Sequence, residues 1–126
     1  MPDLLEGLRI LVLEDEFLIA MDVEQLCRDN GASEVETHAA LDEVDGDDLG
    51  GFDAAIIDVM LGGVSTLDFA RRLEERGVPF IFSTGYADNR DIARLFPGVA
   101  VVGKPYSGEA LIAALVTALR RSQAGT

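Results

Sequence analysis

The chain has 126 residues, 48% of them apolar, and 23 acids against 10 bases give a formal charge of −13. That length supports one domain with a buried core. The acidic balance argues against non-specific nucleic-acid binding and against attachment to an anionic membrane, both of which need surplus Lys and Arg.

No apolar stretch approaches the ~20 residues that span a bilayer. The start, Met1-Pro2-Asp3-Leu4-Leu5-Glu6, lacks the basic stretch and cleavage site of a signal peptide. A cytoplasmic, soluble protein is expected. The one cysteine, Cys27, excludes an internal disulfide and falls in a helical apolar pattern, which gives it a packing role. His38 is the one histidine, so zinc ligation has no Cys or second His to draw on.

In chain order, the apolar run over residues 8–13 reads as a strand that stops at Glu14-Asp15. Ile19, Val23, Leu26 and Cys27 then recur at helical spacing up to Asn30-Gly31. Residues 34–38 form the weakest strand candidate. A poorly periodic helix is expected over 39–44, with a loop at Asp45-Gly46-Asp47-Asp48. Ala54-Ala55-Ile56-Ile57 is a strand that runs into Asp58, followed by a loop over 59–64. Ser65 or Thr66 stands where it would cap the next helix, whose apolar face holds Leu67, Ala70 and Leu73 and which ends at Gly77. Phe80-Ile81-Phe82-Ser83 reaches Thr84. A short exposed helix over 88–96 follows, then a strand over 99–103 that reaches Lys104-Pro105, and a last helix from Ser107 to about Arg121 before a frayed tail.

Strands alternating with helices indicate an α/β fold of right-handed crossovers. In such a sheet ligands sit beyond the carboxyl ends of the strands. Glu14, Asp15, Asp58, Thr84 and Lys104 are all delivered to that rim. Three acids so close repel unless a cation neutralises them, and a hard divalent ion such as Mg²⁺ suits oxygen donors. A carboxylate can attack phosphorus to give an acyl phosphate. A lysine ammonium and a hydroxyl can hold the phosphoryl oxygens. Gly85, directly after Thr84, is read as leaving the approach uncrowded.

These segments resemble a response-regulator receiver domain, the phosphoacceptor half of two-component signalling. Leu13-Glu14-Asp15-Glu16 resembles its acid pair, and Ile56-Ile57-Asp58-Val59-Met60-Leu61 its phosphoacceptor segment. Phe82-Ser83-Thr84-Gly85 and Lys104-Pro105-Tyr106 resemble its hydroxyl and lysine signatures, so that the likeness covers residues 7–121. The resemblance implies a doubly wound, five-stranded parallel sheet of order 2-1-3-4-5, in one receiver domain filling the chain, with no output domain.

It further implies that Asp58 is the phosphoacceptor. Asp15 would bind Mg²⁺ (or Mn²⁺) directly and Glu14 through water, with the backbone carbonyl of Met60 as another ligand. Thr84 would move toward the phosphoryl group, Lys104 would pair with one of its oxygens, and Pro105 would follow a cis peptide bond. The donor would be a histidine kinase or histidine phosphotransfer protein. Phosphorylation would change partner binding at a face made of the fourth helix, fifth strand and fifth helix, including Tyr86, Arg90, Arg94, Val101 and Tyr106, or make the chain a phosphate sink. A monomer or weak dimer is expected, and an enzyme acting on external substrates is not.

The sequence departs from the family pattern in three ways. Val101 stands where many receivers carry a switch aromatic, and Tyr86 is the candidate substitute. Phe82-Ser83-Thr84-Gly85-Tyr86 resembles the F-A-T-G-Y signature of an alphaproteobacterial subgroup paired with kinases of the HWE type, with Ser83 in place of alanine. Gly62 and Thr66 replace a common proline and a common glycine, and two adjacent glycines suggest a loose loop around the Met60 carbonyl. Met60 and Tyr86 flank the phosphoacceptor with bulk where polar groups are usual, which implies a long-lived phosphoryl group. The competing readings are a pseudo-receiver that works without phosphorylation and a Mg²⁺-dependent phosphatase. The phosphatase lacks the second aspartate that such enzymes place where Met60 stands.

Overall fold

A computed structural model describes residues 3–44, 46–85 and 90–124. Its central sheet holds β1 (Arg9–Leu13), β2 (Glu34–His38), β3 (Ala54–Asp58), β6 (Phe80–Thr84) and β7 (Val101–Gly103), all parallel, in the order β2-β1-β3-β6-β7. Counting these five alone, the order is the expected 2-1-3-4-5. Between β3 and β6 lie two short antiparallel strands, β4 (Met60–Leu61) and β5 (Val64–Ser65). The α-helices are α1 (Phe17–Asp29), α2 (Leu67–Glu75), α3 (Arg90–Leu95) and α4 (Gly108–Ala124).

Strand side chains alternate between the two faces of the sheet, and each face has its own core. Ile10, Val12, Ala54, Ile56 and Ile81 pack with Val23 and Cys27 of α1 and Leu111, Ile112 and Leu115 of α4. Leu11, Leu13, Ala55, Ile57, Phe80 and Phe82 pack on the other face with Phe69, Ala70 and Leu73 of α2 and with Ile92 and Phe96. Phe80, Phe82 and Phe96 meet edge to face at centroid distances of 5.3 to 5.8 Å, a favoured aromatic geometry.

Two helix ends show why the chain turns where it does. Gly77, at φ +73°, follows α2. Its N–H reaches the Glu74 carbonyl at 3.1 Å and the Val78 N–H reaches Leu73 at 3.0 Å, the paired bonds of a Schellman cap. Gly31 closes α1 in the same way, with Gly31 N–H on Arg28 and Ala32 N–H on Cys27.

Several expectations need correction. The helix expected over 39–44 is a 3₁₀ turn at Leu41–Glu43, and the expected loop after it holds a second, at Gly46–Gly51. Asp and Gly in that stretch disfavour a helix interior, yet Leu49 and Phe52 anchor it in the core. The short helix expected over 88–96 begins at Arg90 among the described residues, and it is not simply exposed, because Ile92 and the following Phe96 are buried. The last helix continues past Arg121 to Ala124, so the tail does not fray at Ser122. The loop expected over 59–64 contains the β4–β5 hairpin, whose turn residues Gly62 and Gly63 have φ of +58° and +82°. Positive φ at both central residues is what a tight two-residue hairpin turn demands, so this glycine pair builds the turn rather than loosening it.

Candidate functional site

The ends of β1, β3 and β7, the last separated from β3 by β6, bring the charged side chains together. Leu13 is in register with Ile57, so Glu14 and Asp58 leave adjacent strands at the same height. Asp58 is in turn opposite Ser83, and Thr84 opposite Gly103. Lys104 N–H donates to the Thr84 carbonyl at 2.7 Å, which fixes where the lysine leaves the sheet. The Lys104-Pro105 peptide is cis, as expected.

From there the ammonium reaches back over the rim. Lys104 Nζ donates to Asp58 Oδ2 at 2.8 Å and lies 2.7 Å from Glu14 Oε1. Glu14 Oε2 accepts the Glu16 N–H at 3.0 Å, and Asp58 Oδ1 accepts the Met60 N–H at 3.3 Å. Glu14 and Asp58 are buried, whereas Asp15 between them in chain order is exposed. Burial pushes the Glu14 carboxyl above its ordinary value, against the pull of the Lys104 and Glu16 hydrogen bonds. For Lys104, burial works against the charged form, but the hydrogen bonds to Asp58 and Glu14 outweigh it and raise the ammonium above the usual lysine range.

Glu14, Asp15 and Asp58 each offer an oxygen, and these oxygens lie within 4.8 Å of one another. Among the described residues this is the single group of three such side chains so placed. Ligands of an octahedral Mg²⁺ are about 3 Å apart when adjacent and about 4.2 Å when opposite, so oxygens within 4.8 Å of one another can share one ion through a mixture of direct and water-mediated contacts. The donors are all hard oxygens. Three carboxylates against one ammonium leave two negative charges for a divalent cation to balance. The oxygens of Glu14 and of Asp58 all have partners in the protein, while Asp15 is open to solvent and so is the carboxylate most accessible to an incoming ion.

The remaining expected residues fall unevenly. Thr84 ends β6 and is almost fully buried. Met60 is half-buried beside the Asp58 carboxylate. Tyr86 lies outside the described residues. Nothing among the described residues comes within 4 Å of a Cβ built at Gly85, so close neighbours do not explain that glycine. Val101 packs toward the Phe82 and Phe96 side of the sheet. Tyr106 instead lines a groove with Ile19, Val23 and Leu26 of α1, which removes it from the α3–β7–α4 face expected for output. Burial pushes its hydroxyl up to about 12. Cys27 is buried in the core, and burial raises its thiol to about 12, in keeping with packing rather than reactivity.

Of the two expected caps, Ser65 or Thr66, the Thr66 hydroxyl donates backward, 2.7 Å from the Asp58 carbonyl and 3.0 Å from that of Val59. Ser65 Oγ is the group that accepts the Leu67 N–H, at 3.3 Å.

The family described as "response regulator receiver domain" matches residues 10–116. The fold is shared with solved structures at low sequence identity. A CheY-like response regulator receiver domain protein from Methanospirillum hungatei is 23% identical, with TM-score 0.79 over 96% of this chain and 100% of that one. A receiver domain protein from Clostridium thermocellum is 23% identical, with TM-score 0.78 over 94% of this chain and 99% of that one. The response regulator PhyR from Brucella abortus is 23% identical, with TM-score 0.73 over 98% of this chain but 53% of that one. No curated protein sequence matches the chain. Among the described residues no helix is long and apolar enough to cross a membrane.

Proposed function

This chain belongs to the response regulator receiver domain family, and on that premise we propose that it is a phosphoacceptor switch in which Asp58 carries the phosphoryl group. The observation that bears most weight is the 2.8 Å contact between Lys104 Nζ and Asp58 Oδ2, at a rim that also gathers Glu14 and Asp15. An ammonium at that distance pairs with the carboxylate and can afterwards pair with a phosphoryl oxygen.

The donor is a phosphohistidine of a kinase or phosphotransfer protein, with an HWE-type kinase suggested by the run from Phe82 to Tyr86. A carboxylate oxygen of Asp58 attacks phosphorus. The P–N bond breaks, its electron pair returns to the imidazole nitrogen, and an acyl phosphate forms. Asp15, Asp58 and the Met60 carbonyl would hold Mg²⁺ or Mn²⁺, with Glu14 acting through water. When bound, the ion supplies positive charge to the phosphoryl oxygens. Lys104 trades its bond to Asp58 for one to the phosphoryl group, and the Thr84 hydroxyl takes another oxygen. These contacts favour one of two conformations and so alter partner binding at the α3–β7–α4 face, where the Arg94 side chain is exposed. The chemistry stops at self-phosphorylation and self-dephosphorylation, with no external substrate turned over.

Incubation with acetyl phosphate and Mg²⁺, followed by intact-mass measurement, tests the proposal. Wild type gains one phosphoryl group and Asp58→Asn gains none. An unmodified wild type would instead favour a phosphorylation-independent pseudo-receiver, and steady turnover of a small phosphate ester a phosphatase.

A further inference from the structure

The Thr66 hydroxyl has one proton and two acceptors, the carbonyls of Asp58 and Val59 at 2.7 and 3.0 Å, and its side chain is fully buried. The Thr66 N–H also donates to the Val59 carbonyl, at 3.0 Å. That carbonyl is one end of the peptide plane whose other end is the Met60 N–H, and the Met60 N–H faces Asp58 Oδ1 at 3.3 Å. A trans peptide is a rigid plane with its C=O and N–H pointing opposite ways. Gripping one end therefore aims the other.

The hairpin extends the same control to the Met60 carbonyl. Leu61 opposite Val64 closes a two-residue turn, which makes it a hydrogen-bonded pair. The next pair, Met60 opposite Ser65, is then of the non-hydrogen-bonded kind, flanked by the Thr66 N–H bond to Val59. In such a pair the N–H and C=O of a residue both point away from the partner strand. Since the Met60 N–H points at the Asp58 carboxylate, the Met60 carbonyl turns to that same side.

We infer that Thr66 is a positioning residue for the phosphoacceptor: through the Val59–Met60 peptide it orients the Asp58 carboxylate and presents the Met60 carbonyl to the cation pocket. This rests on the reading of Asp58 and its neighbours given above. A cap role for Thr66 would need its hydroxyl to accept an N–H from α2, and it accepts none. A role confined to stability would act on folding without changing the pocket of the folded protein.

Full-length wild type, Thr66→Val, Thr66→Ser and Val78→Ala separate these cases, with free Mn²⁺ measured by electron paramagnetic resonance during titration of the unphosphorylated protein. Val78 is buried in the core beside Leu73, away from the rim, so its truncation serves as a destabilised control. Thr66→Val keeps the shape and loses the donor, and should weaken Mn²⁺ binding roughly tenfold, the scale seen when an outer-shell partner is removed. Thr66→Ser should bind within about twofold of wild type, and Val78→Ala should bind like wild type despite a lower melting temperature, because affinity follows the outer-shell contact. If Thr66→Val does not fold, Thr66→Ala replaces it with the same expected loss. Unchanged Mn²⁺ affinity in the folded variant, failure of Thr66→Ser to restore it, or an equal loss in Val78→Ala would overturn the inference. A wild type that binds no Mn²⁺ would overturn the reading of the site itself, and the positioning role with it.

Discussion

Glu14 and Lys104 meet at 2.7 Å where water scarcely reaches, the acid side chain 3% exposed and the lysine 13%. The pair holds the ammonium over Asp58 but leaves Glu14 paying for its burial, since its carboxyl sits above the ordinary Glu value chiefly through desolvation. A raised folded pKa favours the fold while the group is protonated. That contribution is present below the ordinary Glu range and is lost as pH climbs through the folded value. Glu14→Gln keeps an acceptor for Lys104 and removes the buried charge. In metal-free buffer the variant should melt above wild type at pH 7, and the two curves should converge toward pH 4. A lower melting temperature for Glu14→Gln at pH 7 would mean that the ion pair outweighs desolvation.

Mutual repulsion of Glu14, Asp15 and Asp58 is the term a divalent cation relieves. A ligand that binds the folded state alone, at a hundred times its Kd, adds about 2.7 kcal/mol. In a domain of this size that is on the order of 10 °C in Tm. Mg²⁺ should therefore raise the melting temperature of wild type strongly. Asp15→Asn should lose most of that rise while melting at or above wild type without metal. Thermal melts with Mg²⁺ and with a chelator check both statements. Equal Mg²⁺ shifts in the two proteins would show that Asp15 is not a ligand.

The parts of this site legible in the sequence are those where an apolar run ends abruptly. Ile57 followed by Asp58, and Leu13 followed by Glu14, mark strand ends without any knowledge of pairing, because a buried strand cannot carry an unpaired acid into its interior. What sequence pattern missed has short range or long reach. Strands of two residues, β4 and β5, are below the length at which alternation can be counted, although Gly62-Gly63 between apolar neighbours is itself a hairpin signal. The direction of the Thr66 hydroxyl depends on acceptors seven and eight residues back, beyond any capping rule. Leu49 and Phe52 were hidden by the Asp- and Gly-rich stretch around them. Tyr106 was misplaced because its side depends on long-range packing beside Ile19, Val23 and Leu26 of α1, which its neighbours in sequence do not reveal.

Glycines near the rim make opposite demands. Gly63 has φ of +82° with nothing among the described residues within 4 Å of a built Cβ, so a side chain there meets backbone strain and no clash with them. Gly63→Ala should cost about 1–2 kcal/mol, the penalty of a left-handed L-residue. Gly63→Asn should cost less, since asparagine tolerates that region. At Gly85, where a Cβ meets nothing among the described residues and φ is not positive, Gly85→Ala should stay within about 0.5 kcal/mol of wild type. Urea unfolding midpoints compare all three. A Gly63→Ala variant as stable as wild type would show that the hairpin turn can be rebuilt with other dihedral angles.

Met60 bears on how long the switch stays on. Loss of the acyl phosphate needs a water in line with the bond to Asp58, and an ordered approach is worth large factors in rate. Met60 is half-buried, its backbone N–H 3.3 Å from Asp58 Oδ1, and a thioether chain at this position is bulky and has no group that can orient water. Met60→Asn replaces the bulky chain with an amide that can hold the attacking water. Phosphoryl loss should accelerate by about threefold to tenfold, a modest share of what positioning can supply. After acetyl phosphate loading and removal of the donor, intact-mass measurements over time give the two half-lives. A wild-type half-life of seconds or less would contradict the crowding argument, and a Met60→Asn protein that keeps its phosphoryl group as long as wild type would place the barrier elsewhere on the rim.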